Sequence, residues 1–83
     1  ITNLHPNPTN DFVTCDLYAK SRGNVDIELI DYTGHTVYSR TQFVEYGTTS
    51  LTVNMDNLVS GVYLLKVTIE KTGKNVFYKI IKN

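Results

Sequence analysis

An all-β fold, built as two antiparallel sheets packed face to face, follows from three features of these 83 residues. Apolar side chains recur at every second position in one segment after another. Breaks rich in glycine, asparagine and threonine separate the segments at intervals of about eight to twelve residues. Nowhere do apolar residues follow the three-and-four spacing of an amphipathic helix. The expected content is about seven short strands.

The elements follow in order. "TNLH" opens as a short strand and runs into "PNPTN". Pro6 and Pro8 fix their own φ and drive His5 and Asn7 into extended backbone, so no helix starts there. The short polar side chains of Asn7, Thr9, Asn10 and Asp11 bond back to nearby backbone, which makes the segment a stiff connector. From 11 to 18, "DFVTCDLY" sets Val13, Cys15 and Leu17 on one face against Phe12, Thr14, Asp16 and Tyr18 on the other. "KSRGN" breaks the alternation. "NVDIELIDY" restores it with Val25, Ile27 and Leu29 inward and Asp26 and Glu28 toward water. "DYTGH" is a turn, with Gly34 free to take positive φ and Asp31 placed to bond the backbone ahead of it, and the returning strand spans 36–42.

"FVEYGTT" reads as an interruption. "SLTVNM" resumes with Leu51, Val53 and Met55 together, and a connector over 56–60 leads into the strongest strand pattern, "GVYLLKVTIEK". There Tyr63, Leu65, Val67 and Ile69 share a face. "KTGK" turns the chain at Gly73, and "NVFYKIIK" runs almost to the end. Seven strands with such turns predict an immunoglobulin-like antiparallel β-sandwich forming one domain over residues 1–83. Leu58, Gly61, Tyr63, Leu65 and Val67 spell L-x-x-G-x-Y-x-L-x-V, which resembles the tyrosine corner of immunoglobulin and fibronectin type III sandwiches. In a corner the Tyr63 hydroxyl caps a backbone group upstream; otherwise Tyr63 is an ordinary strand aromatic.

Composition excludes several classes of function. Eight basic residues balance eight acidic ones with no basic block, which argues against nucleic acid as a partner. No apolar run reaches the length of a membrane span, and no signal segment stands at the start. A chain that begins at Ile1 rather than Met is expected to be a piece of something longer. Cys15 is the single cysteine, and its place in an alternating apolar run suits a small buried hydrophobe better than a nucleophile. His5 and His35 read as solvated loop residues, and two histidines without spaced carboxylate or thiolate ligands make no metal site. Ser60, His35 and Asp31 form a triad on paper, but no glycine-flanked nucleophile turn supports it. Asp26 and Glu28 share one strand face instead of flanking a cleft, as a glycosidase requires. No cofactor and no enzymatic activity are expected.

The last strand is unusual because both faces carry apolar groups: Val76, Tyr78 and Ile80 on one, Phe77 and Ile81 on the other, with Lys79 between. A sandwich strand needs one apolar face. Either a loop or "TNLH" covers the surplus, or it forms an exposed strip rimmed by Lys79 and Lys82 that docks on a partner, by strand addition at an open edge for instance. On the second reading, deletion of residues 79–83 abolishes recognition while the domain still folds.

Taken together, "PNP", "VDIELIDYTGHTV", "NLVSGVYLLKV" and the terminal "YKIIKN" resemble the C-terminal sorting domain, type A, of the type IX (Por) secretion system of Bacteroidota, in the family's order and over nearly the whole chain. His35, where the family often has Lys or Arg, and Asn83 after the last lysine depart from the usual run without conflict. The motif positions are Pro6, Asn7, Pro8, Gly34, Gly61, Tyr63, Lys79, Ile80, Ile81 and Lys82. The resemblance implies a folded signal, not an enzyme, joined covalently to an N-terminal cargo. It implies that translocon and shuttle proteins carry the cargo from the periplasm across the outer membrane, and that a surface sortase usually then cleaves the domain, leaving the cargo at the cell surface or outside the cell. On this view the prolines hold the cut away from the sheet; alternatively they terminate a strand and protect its edge. The alternative function is a glycan-binding or adhesion module, which needs aromatic rings in a row, and Tyr18, Tyr32, Tyr38 and Tyr46 lie on different segments.

Overall fold

The computed structural model describes residues 2–5 and 11–83, with side chains from residue 11 onward. Pro6, Asn7 and Pro8 lie outside the described residues. Six strands of eight or nine residues are β2 (Phe12–Ala19), β3 (Gly23–Asp31), β4 (Thr36–Val44), β5 (Gly47–Asn54), β6 (Gly61–Ile69) and β7 (Lys74–Lys82), and a four-residue strand, β1 (Thr2–His5), precedes them. They form an antiparallel sandwich in which a sheet ordered β1-β2-β5 faces a sheet ordered β4-β3-β6-β7. His5 is not a loop residue, because it ends β1 and pairs with Thr14 of β2.

Each sheet contributes its apolar face to a common core. Val13, Cys15 and Leu17 of β2 and Leu51 and Val53 of β5 meet Val25, Ile27 and Leu29 of β3, Tyr63, Leu65 and Val67 of β6 and Ile80 of β7. All of these are buried, which is the inward set that period-two alternation predicts. Burial also pushes the Cys15 thiol above its ordinary pKa, so the sulfur behaves as a core atom.

The turn at Asp31 is built by its own side chain. Asp31 Oδ1 accepts from the Thr33 and His35 amides at 2.9 and 3.0 Å and from Thr33 Oγ1 at 2.6 Å. Gly34 sits at φ 94°, a conformation that costs other L-residues steric strain. Tyr63 closes the corner: its hydroxyl donates to the Val59 carbonyl at 2.6 Å while the ring is only 4% exposed.

One element differs from the expectation. "FVEYGTT" is almost entirely strand, since β4 continues to Val44, β5 begins at Gly47, and Glu45 and Tyr46 alone carry the chain from one sheet to the other. Phe43 and Val44 pair with Asn24 and Gly23. The alternation is hard to see because β4 is an edge strand whose inner face is polar: Arg40 Nη1 donates to Tyr38 Oη and Nη2 to Gln42 Oε1, both at 3.1 Å. The apolar Phe43 meanwhile faces outward.

Candidate recognition face

The outer surface of β6 and β7 collects the apolar residues that the core does not use. Antiparallel register sets Val62 opposite Ile81, Leu64 opposite Lys79 and Lys66 opposite Phe77. Because successive side chains alternate between faces, these six residues share the side of the sheet turned away from the core. Val62, Leu64, Phe77 and Ile81 are 43, 42, 53 and 40% exposed, so a large part of each stays open to solvent. "TNLH" does not serve as a lid, because β1 pairs with β2 in the opposite sheet. Half-buried Ile30, opposite Leu64 on β3, extends the apolar surface inward.

The cations sit within this patch. Lys66 Nζ lies 5.9 Å from the Phe77 ring centroid, a cation–π contact that holds the ring against the sheet. Lys79 stands exposed between Phe77 and Ile81 along β7. Among the described strands β7 ends its sheet order.

The motif positions therefore separate. Lys79 and Ile81 belong to the outer face. Ile80 points the other way and is fully buried, and Lys82, half-buried, pairs with Gly61 at the start of β6. Tyr63 is a core residue, and Gly34 lies in the β3–β4 turn. Deletion of residues 79–83 would thus remove a core side chain together with the end of the β6–β7 ladder, contrary to the expectation that such a truncation folds. Val62 and Leu64 of the face were missed in the sequence because β6 was read for its inward residues; two apolar residues at the intervening positions of that strand were the available signal.

Other constellations do not assemble. His35 Nδ1 is within 2.8 Å of Thr33 Oγ1, and the Asp31 carboxylate is occupied by turn donors, so no hydrogen bond links either to Ser60. Tyr18 and Tyr46 meet edge to face at an interplanar angle of 68°, Tyr38 lies on the inner side of β4, and Tyr32 projects from the turn. These four rings make no flat row. Among the described residues no group of three His, Cys, Asp or Glu side chains gathers, and no helix is long and apolar enough to cross a membrane.

A family comparison decides what kind of sandwich this is: the secretion system C-terminal sorting domain family matches residues 3–83. The chain belongs to that family. It is a type IX secretion sorting signal, of a kind that is not an enzyme family, and such a domain implies export to the cell surface or the extracellular space. No curated protein and no solved structure shows significant similarity to the chain. The sorting domain thus carries an exposed apolar and cationic face on its last two strands, on a sandwich whose inner faces form one buried core.

Proposed function

We propose that the chain is a folded C-terminal address that takes an N-terminally attached cargo from the periplasm across the outer membrane through the type IX translocon, and that the outer face of β6 and β7 is the surface the apparatus reads. The observation carrying this reading is the cluster of Val62, Leu64, Phe77 and Ile81 exposed beside Lys66 and Lys79 in a sorting domain. Apolar surface left in water marks an interaction site, and flanking cations give a docking partner its orientation. Shuttle or translocon proteins of the outer membrane are the partners this proposal requires, in a bacterium of the Bacteroidota. On this proposal a surface sortase then cuts in the connector just upstream, and the segment with Pro6, Asn7 and Pro8 holds that cut away from the folded body.

The test is a fusion. A reporter preceded by a signal peptide and followed by this domain is expressed in a host with the type IX machinery. The reporter is expected at the surface or in the medium, with the domain removed. Retention in the periplasm at the level of a reporter lacking the domain would contradict the proposal.

A further inference from the structure

The two most exposed large apolar side chains among the described residues lie at one end of the sandwich: Tyr32, in the β3–β4 turn, is 85% exposed and Val59, in the β5–β6 connection, is 78% exposed. The β3–β6 register ends with Ile30 opposite Leu64 and Asp31 opposite Tyr63, so Tyr32 leaves β3 beside Val62 of the outer face. Val59 stands two residues before Gly61, where β6 begins, and so belongs to the same strand end. The apolar face of Phe77, Leu64 and Val62 thus leads to Tyr32 and Val59 at the end of the sheet.

Both side chains sit on loops whose conformation is fixed. In the turn, the Asp31 amide donates to the His35 carbonyl at 2.9 Å and the Gly34 amide to the Asp31 carbonyl at 3.0 Å, besides the three bonds that Asp31 Oδ1 accepts. In the connection, the Leu58 amide donates to the Met55 carbonyl at 3.1 Å, the Asp56 amide donates to Asn54 Oδ1 at 2.8 Å, and the Tyr63 hydroxyl donates to the Val59 carbonyl. Met55 is buried and Leu58 packs against the core, which anchors the connection on its inner side and leaves Val59 outside. An apolar group already held in place loses little freedom on docking, so a rigid aromatic makes an effective anchor. These bonds also give Gly34 and Tyr63, motif positions that lie off the outer face, a part in presenting Tyr32 and Val59.

Resting on the reading that the secretion apparatus docks on the outer face of β6 and β7, we infer that the same partner protein reaches over the end of the sheet and receives Tyr32 and Val59 in an apolar recess. The partner surface is therefore concave, with one wall on Leu64 and Phe77 and the other on the two loops. Continuity through Val62 is what assigns the loops to that partner. The exposed rings of Phe43 and Tyr46 lie at the other end of β4 and have no such continuity, since Asn24, opposite Phe43, and then Asp26 and Glu28 separate them from the face.

Each variant domain is fused C-terminal to a reporter carrying a signal peptide, expressed in a host with the type IX machinery, shown by its melt to be folded, and read by surface display. Tyr32→Ser/Val59→Ser is expected to lower display about fivefold or more relative to the native domain, the equivalent of roughly 1 kcal/mol. Tyr32→Phe, which keeps the ring, and Phe43→Ser/Tyr46→Ser, which removes exposed rings at the opposite end, are expected to be displayed like the native domain. Native-level display from Tyr32→Ser/Val59→Ser overturns the inference, as does an equal loss from Phe43→Ser/Tyr46→Ser. If Leu64→Glu/Phe77→Glu blocks display while Tyr32→Ser/Val59→Ser does not, the recess is refuted and the outer face stands; native-level display from both refutes the face and the recess together.

Discussion

Tyr63 shows how one side chain ties the β5–β6 connection to the core. Its ring fills space between the sheets while its hydroxyl donates to Val59, four residues upstream, so that a large aromatic is buried with its polar atom satisfied. Tyr63→Phe keeps the ring and strands the carbonyl. The expected loss is about 1 to 3 kcal/mol of stability, read as a fall in Tm of about 4 to 8 °C for each kcal/mol. An unchanged Tm would mean that the corner contributes nothing. Two carboxyls, half-buried Asp31 and exposed Glu70, behave in opposite ways. Asp31 titrates below the ordinary 3.8, chiefly because the Thr33 hydroxyl donates to it and also because the His35 and Thr33 amides do. Glu70 titrates above the ordinary 4.5, chiefly because it shares a hydrogen bond with Asp26. A depressed acid stabilises the fold above its unfolded pKa and loses that contribution as pH falls through its folded pKa; a raised acid stabilises it below the unfolded pKa and loses the contribution as pH rises through the folded one. Carboxyl-detected NMR titration should place Asp31 below 3.8 and Glu70 above 4.5, and the reverse order would contradict the turn and pair geometry. The turn at Asp31 was legible in "DYTGH", because Asx bonding and a positive-φ glycine are local. The Asp26–Glu70 pair was not, since it depends on β3 lying beside β6.

Among the elements, β7 carries both stability and the candidate face, and its two sides must be tested separately. Ile80 is buried opposite Tyr63, so removing residues 79–83 costs a core isoleucine, a loss of about 2 to 5 kcal/mol for such side chains, along with four of the paired positions that join β7 to β6. The truncated chain is expected to lose its cooperative melting transition by circular dichroism, and a native-like melt would contradict the assignment of Ile80 to the core. Export failure of such a truncation therefore says nothing about recognition. The strands with clean alternation, β2, β3, β5 and β6, were legible because one face is core and the other is water. The ends of β4 and β5 were not, because an edge strand with Tyr38, Arg40 and Gln42 inward and Phe43 outward inverts the usual polarity. The surplus apolar side of β7 was visible in "NVFYKIIK", but whether it was covered depended on which sheet β1 joins, and that is a matter of tertiary pairing.

At the scale of the molecule, a closed core and an open face divide the labour. The core uses the inward residues of both sheets to hold the sandwich together, leaving Val62, Leu64, Phe77 and Ile81 available outside it. A surface of this kind should be separable from stability, since its side chains fill no space between the sheets. The most direct measurement compares surface display of a reporter fused to the native domain, to a Leu64→Glu/Phe77→Glu variant, and to a Ser50→Lys/Thr52→Lys control altered on the outer face of the opposite sheet, each shown by its melt to be folded. Display from the first variant should fall by about tenfold or more, as expected when on the order of 1.4 kcal/mol or more of docking energy is lost, while the control is exported like the native domain. Native-level display from a folded Leu64→Glu/Phe77→Glu domain would contradict the claim that this face is what the secretion apparatus reads.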